Sequence, residues 1–238
     1  MPSETPSARA LLPLSDFSGP LSARVYGALK QAIFSLEYRP GEILRKGEVC
    51  ELLGVSRSPV SEAVAKLADE GLVAVVPQAG TFISRFSMDE IREGAFTREA
   101  LELAAVERVA VTITDDQLAQ LRVNLEWQQA LAGQDDSPGF FKADRQMHAM
   151  ILSFTGYSRL ARLADHSWVQ VDRARIMHLP LLGRVHETIA EHRQIIAALQ
   201  AHDPQKAREV TRHHLSQLIK YLEPMEREHP DLFEPKRT

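Results

Sequence analysis

Four side chains in the C-terminal half of this 238-residue chain are of types that bind metal ions, and their spacing lets them meet. Asp144 and His148 stand four apart on a helical stripe that also holds Phe141, Ile151 and Thr155, so both reach one point above the helix. His192 sits amid Val185, Ile189, Ile196 and Leu199, and His214 amid Ala207, Val210, Thr211, Leu218 and Tyr221, each on a single stripe. Stripes of this kind face the interior of packed helices, where one unpaired polar group costs on the order of several kcal/mol. One carboxylate and three imidazoles suit a shared divalent transition metal, Zn²⁺ first, with Ni²⁺, Mn²⁺ or Fe²⁺ also compatible. Taken singly, each histidine reads first as a core residue bonded to a neighbour. His166, His178, His186, His202, His213 and His229 keep that reading or a surface one. Spacing alone leaves the metal cluster and the separately satisfied core residues both open.

A second stretch, "GVSRSPVSEAVAKLADEGLV" (54–73), begins a helix with Ser56, Arg57, Ser58 and Pro59 before apolar residues recur at Val60, Val64 and Leu67. Ser56 or Ser58 can cap that helix, and Pro59 falls in its first turn, where a missing N–H costs nothing. In a helix–turn–helix the second helix enters the DNA major groove by this end. Arg57 can reach guanine O6 and N7 with two donors, and Ser56, Ser58 and Ser61 can bond to phosphate or bases. Arg45 and Lys46 can add positive charge on the same side, and Gln78 and Gly80, in a wing turn, suit the neighbouring minor groove. Residues 21–86 hold eight Lys/Arg against seven Asp/Glu, a net of only +1. Serine-rich helix starts and glycine turns are also ordinary features of helix pairs, so DNA binding and a plain helical unit both remain open on this evidence.

These residues need elements to hold them. Residues 1–19, rich in Pro and Ser, read as a flexible arm. Residues 20–86 read as a winged helix–turn–helix: a helix from Leu21, a turn at "RPGE", a short helix over 46–53 stopped by Gly54, the helix described above, and a hairpin around Pro77–Gly80. Residues 87–223 read as an all-α antiparallel bundle of about six helices, near 89–112, 115–132, 139–155, 158–179, 184–201 and 204–222. The fold class is therefore mainly α with a small β-hairpin wing, and residues 224–238 form a charged tail expected to be loose. The composition, 44% hydrophobic and 25% charged with a net charge of −4, is that of an ordinary globular protein and argues against a nonspecific nucleic-acid coater. No apolar run approaches the roughly 18 residues of a membrane span, so no membrane partner is expected. The first twenty residues lack the pattern of a secretory signal, and Cys50 is the only cysteine, which makes a cytoplasmic location the expectation.

The run "RPGEIL…LLGVSRSPVSEAVAKLADEGLV…VPQAGTFIS" resembles the winged-helix domain of the GntR family of bacterial transcription regulators, almost continuously over residues 21–86. The resemblance implies operator binding by a homodimer on a palindromic site. Two positions depart from the family pattern. Ser61 stands where an arginine is usual and Ala79 where a basic wing residue is common, which predicts an unusual operator or a shallower salt dependence. Residues 89–222 look like the FCD ligand-binding domain of the FadR subgroup, whose Asp-x-x-x-His and two later histidines match Asp144, His148, His192 and His214. Tyr157 replaces an asparagine common there. The resemblance also implies an inward arginine on the first bundle helix, which "TREALELAA" supplies as Arg98. Its two readings are a carboxylate clamp for a small organic-acid effector and a salt bridge to Glu102. Arg175 is a second effector candidate, while Arg173 is expected to face water. The implied function is a metabolite-responsive regulator, a repressor, rather than an enzyme. The alternatives are a metal-dependent hydrolase with an accessory winged helix, for which Glu191 points the wrong way to serve as base, and a sensor of the metal itself.

Overall fold

A computed structural model of the chain describes residues 11–160, 163–164, 168–178 and 183–235. The first ten residues of the expected arm, His166, the side chain of His178 and residues 179–182 of the expected break lie outside them. The described residues fall into two compact units, one within residues 1–87 and 229–238, the other within 88–228. Among them no helix is long and apolar enough to cross a membrane.

In the first unit α1 (Leu21–Phe34) buries Val25, Ala28, Leu29, Ala32 and Ile33, an i, i+3, i+4, i+7 pattern, against α3 (Arg57–Asp69). α3 answers with Val60, Ala63, Val64 and Leu67. Each such large side chain contributes about 1.5–3 kcal/mol by leaving water. Between them lies α2 (Lys46–Leu53), ended by Gly54 at φ 64°, ψ 36°, a left-handed conformation that only glycine adopts without penalty. The wing pairs β1 (Val73–Val76) antiparallel with β2 (Gly80–Ile83), Val73 opposite Ile83 and Val76 opposite Gly80. Its turn is possible because Gln78 and Gly80 take φ of 62° and 132°. Residues 42–44 extend the sheet on the far edge of β2, where Leu44 N–H donates to Thr81 O at 2.8 Å and Ile83 N–H to Glu42 O at 2.8 Å.

Both ends of the chain correct the sequence expectation where they are described. Residues 11–19 are anchored: Leu14–Asp16 form a 3-10 turn, Arg24 Nε donates to Leu14 O at 2.8 Å, and the Phe17 ring lies so close to Gly27 that a Cβ there would stand 2.4 Å from it. The tail is not loose over residues 229–235. Phe86 N–H donates to Leu232 O and Glu234 N–H to Phe86 O, both at 2.9 Å, and the buried Phe233 ring packs 5.6 Å from that of Phe86. One apolar side chain and two strand-like hydrogen bonds outweigh the charge and proline content that suggested disorder.

The second unit is a helical bundle: α4 (Met88–Thr112), α5 (Asp115–Ala132), α6 (Ser137–Phe154), α7 (Val169–His178), α8 (Arg184–Gln200) and α9 (Pro204–Glu228). α5 starts with a capping box between Thr114 and Gln117, and α6 with Asp136 accepting from Gly139 N–H. α4 packs along α9, and α5 along α6 and α8. Residues 158–179, expected as one helix, begin in their described part with a turn at 158–159, are helical at 160 and 163–164, with Leu163 N–H donating to Arg159 O at 3.1 Å, and are helical again in α7. The tail reading missed the last turns of α9, which runs on through Pro224 to Glu228.

Replacing Phe233 by alanine should lower the stability of the first unit by about 3 kcal/mol, read as an earlier urea midpoint than for the parent protein.

Candidate metal centre and recognition face

Asp144, His148, His192 and His214 are all buried, and one ligand atom from each lies within 4.8 Å of the others. α6 supplies the first two across one turn, α8 and α9 the others. His148 Nε2 is 3.2 Å from His214 Nε2 and 4.0 Å from Asp144 Oδ1, and His192 Nε2 is 3.5 Å from Asp144 Oδ1. Ligand atoms about 2.1 Å from one cation stand about 3–4 Å apart, so these separations fit a shared ion.

The proton positions support the same reading. His148 Nδ1 faces Glu102 Oε2 at 2.6 Å, and His214 Nδ1 faces Glu191 Oε2 at 2.7 Å. A carboxylate only accepts, so each Nδ1 carries the proton and each Nε2 presents a lone pair. His192 reaches the same state by a longer route. The carbonyl of Ala143, an acceptor, takes Asn124 Nδ2–H at 3.0 Å, and Asn124 Oδ1 then takes Gln128 Nε2–H at 2.8 Å. Gln128 Oε1 is left to accept from His192 Nδ1–H at 2.8 Å. Three imidazole lone pairs and a carboxylate oxygen thus converge with no proton among them. Asp144 Oδ1 and His192 Nε2 are buried and have no hydrogen-bond partner among the described residues. A divalent cation resolves that repulsion, and the donor set fits one.

Charges around the cluster are paired. Arg98 Nε donates to Glu102 Oε1 at 2.6 Å, the salt bridge that sequence left open, yet its Nη2 is buried with no hydrogen-bond partner among the described residues. The guanidinium lies over the Trp168 ring, 5.0 Å from its centroid. Burial opposes ionisation of Glu102, but Arg98 and His148 outweigh it and hold the carboxyl well below the usual carboxylate range. Burial likewise opposes charge on Asp144, and the Arg175 guanidinium beside it holds the carboxyl low. Arg175, expected as a second effector contact, hydrogen-bonds Asp144 Oδ2 instead, which turns Oδ1 toward the centre. Burial works against the Glu191 carboxylate too, yet His214 and Arg184, whose two terminal nitrogens reach it at 2.7 Å each, bring it down to about 2. Arg173 is buried rather than facing water, and loss of solvent pushes it down to about 10. Tyr157 is exposed, with the Arg108 guanidinium 4.7 Å over its ring.

Glu102, Gln128 and Arg184 escaped the sequence reading as supports of the site. Gln128 carried a usable signal, since it shares the apolar face of α5 with Leu121, Leu125 and Leu131. Glu102 offered only its i, i+4 spacing from Arg98.

On the first unit, Ser56, Arg57, Ser58 and Ser61 are exposed at the start of α3, and Gln78 and Gly80 are exposed in the wing turn. Ser56 is the N-cap residue, but its hydroxyl makes no capping bond, and Ser58 Oγ donates to Glu62 Oε1 at 3.1 Å. Serine capping of α3 is therefore corrected. Arg45 is exposed and pairs with Glu48 at 3.2 Å, while Lys46 is half-buried.

Two outcomes follow from the cluster. In the metal-free protein, burial and then the neighbouring His148 push His214 down to about 4, against the raising effect of Glu191, whereas the unfolded chain titrates near 6.5. The unfolded state therefore binds more protons between those values, so stability falls as pH drops from 6.5 toward 4. Thermal midpoints of the metal-free protein should decline across that window, and His214→Asn should flatten the decline. Gln128→Leu removes the acceptor that sets the His192 tautomer and should weaken Zn²⁺ binding by about 10–100-fold in a chelator-competition titration.

Residues 21–83 match the family model described as "Bacterial regulatory proteins, gntR family", and residues 93–217 match the "FCD domain". Among similar proteins is the "HTH-type transcriptional repressor RspR" of Escherichia coli (strain K12), 29% identical over 214 residues, 90% of this chain and 94% of that protein. An "Uncharacterized HTH-type transcriptional regulator in unstable DNA locus" of Streptomyces ambofaciens is 31% identical over 210 residues, 88% of each chain. Two solved structures share the fold. "E. coli McbR/YncC" has a TM-score of 0.74 at 23% identity, over 87% of this chain and 99% of that one. A putative GntR regulator from Rhodococcus sp. RHA1 has 0.73 at 24%, over 85% and 97%. Relatives and fold are those of transcriptional regulators, which overturns the hydrolase alternative. The chain belongs to the GntR family of bacterial regulatory proteins, as a DNA-binding transcriptional regulator that joins a winged helix–turn–helix to an FCD domain.

Proposed function

We propose that the protein is a metabolite-responsive repressor, acting in the cytoplasm as a homodimer on a palindromic operator, in which a small carboxylate bound beside a Zn²⁺ ion lowers DNA affinity. The observation that carries the sensing half is the convergence of Asp144 Oδ1 and three imidazole Nε2 atoms in the same unit as Arg98, whose buried Nη2 has no hydrogen-bond partner among the described residues. The bound ion supplies Lewis-acid positions for a carboxylate oxygen. Asp144, His148, His192 and His214 hold it, Glu102, Gln128 and Glu191 keep the imidazoles in one tautomer, and Arg175 orients Asp144. Arg98 takes the other carboxylate oxygen through Nη2 while Glu102 fixes its Nε.

Arg57 is exposed and engages no other side chain among the described residues, so it is free to read guanine in the major groove. Ser56 and Ser61 suit phosphate contacts, Ser58 after release from Glu62, and Arg45 and Lys46 add charge. Gln78 and Gly80 approach the minor groove. The exposed Ser61 and Ala79 remove two basic contacts and reduce the salt slope by about one for each lost phosphate contact. The repressor sign has the support of the Escherichia coli relative named for that role. A coupling of about 1–3 kcal/mol between effector and operator is enough.

Arg57→Ala should abolish operator retardation in a gel with metal content unchanged. Arg98→Ala should retain operator binding but lose release by carboxylates. Retained retardation by the first variant, or release of DNA by Zn²⁺ alone, would overturn the corresponding half of the reading.

A further inference from the structure

The outward side of α3 lies opposite its buried Val60, Ala63, Val64 and Leu67, and it carries Ser58, Ser61, Glu62 and Ala65, all exposed. The two serines and the alanine are short. The side chain that projects furthest from the middle of this face is therefore a carboxylate, the wrong sign for a surface that meets phosphates. Lys66, one turn on from Glu62, does not neutralise it: Lys66 Nζ lies over the Tyr26 ring of α1, 3.9 Å from the centroid. Among the described residues the hydrogen-bond partner of the Glu62 carboxylate is the Ser58 hydroxyl, which donates to Oε1 at 3.1 Å. A carboxylate has about four lone-pair sites, so one neutral donor leaves most of its accepting capacity unused.

Such a group weakens binding to every DNA sequence except one that offers it a donor. The floor of the major groove has two kinds, the cytosine N4 and adenine N6 amino groups. Guanine shows O6 and N7 there and thymine O4, all acceptors that repel a carboxylate. Adenine sets N7, another acceptor, beside its amino group, whereas cytosine has only carbon-bound hydrogen on that side. Cytosine is the base that answers a carboxylate without a penalty.

We propose that Glu62 is a base-reading, specificity-determining residue: it selects a cytosine in the operator by accepting a hydrogen bond from the N4 amino group, which replaces Ser58 as the donor and releases that serine toward the DNA backbone. This rests on the reading of α3 as the helix that enters the major groove, given above.

Selection by the full chain from a pool of duplexes with a randomised core supplies the DNA, and fluorescence anisotropy then measures every possible base pair at each selected position. At one position cytosine should be preferred by about 10-fold or more. Glu62→Gln should turn that preference toward adenine, whose N6 and N7 suit an amide, and Glu62→Ala should level it, with the preferences at other positions kept. Exchanging that cytosine for 2-pyrimidinone, the analogue without the amino group, should cost the parent protein about 10-fold more affinity than it costs Glu62→Ala. A selected sequence without such a cytosine, or variants that change affinity for all base pairs by one common factor, would overturn the proposal, the second result being that of a residue which only supports the helix. Arg57→Ala selecting the same sequence as the parent with equal affinity would instead overturn the placement of α3 in the groove. The parent protein's response to the cytosine analogue decides the question even if a Glu62 variant fails to fold, since an unchanged affinity rules the contact out.

Discussion

Everything in the bundle interior depends on where three protons sit. An imidazole shows a lone pair on one nitrogen only when the other is protonated, and here each Nδ1 faces an atom that can do nothing but accept. Glu102 and Glu191 do this directly as carboxylates, and Gln128 does it because its orientation is dictated, through Asn124, by the backbone carbonyl of Ala143. That carbonyl belongs to the residue next to Asp144, so the turn of α6 that carries the carboxylate ligand also sets the tautomer of a histidine on α8. Four electron-rich atoms then face one another in a volume of a few ångströms, an arrangement that makes electrostatic sense only around a cation.

Such a cluster is costly to bury. Arg98–Glu102, Arg175–Asp144 and Arg184–Glu191 are ion pairs taken largely out of water, and pairs of this kind break even at best against an apolar core. Their worth is geometric. Each arginine neutralises a carboxylate that is already committed to a ligand or to a ligand's ring nitrogen, so the negative charge near the centre is held in fixed directions. The apolar stripes that frame these pairs, Leu121 and Leu125 on α5, Met147 and Ile151 on α6, Ile195 and Ile196 on α8, provide the stability that the polar interior does not.

Much of this could be read from periodicity. The spacing of Val25, Leu29 and Ile33, of Val60, Val64 and Leu67, and the glycine at 54 place the helix–turn–helix with little ambiguity, because burial of one face and a left-handed stop are local requirements. Asp144 and His148 were legible because i, i+4 polar residues on an apolar stripe must converge. Misreadings arose where local composition was weighed without its tertiary partner. Phe233 looked like part of a polar tail until Phe86 gave it a place to pack, and Arg173 looked solvent-facing until the bundle closed over α7. Ser56 has the residue type and position of a helix cap, yet its hydroxyl does not cap.

Helical period and apolar patterning are properties of neighbours in the chain, and they suffice to place the elements and to turn the four ligands inward. Helix packing alone brings His148 to Glu102 across 46 residues, His192 to Gln128 across 64, and Arg175 to Asp144 across 31. Hydrogen-bond partners are chosen by which helices lie side by side and at what axial offset, and a period of 3.6 residues within one helix carries no information about the register of another.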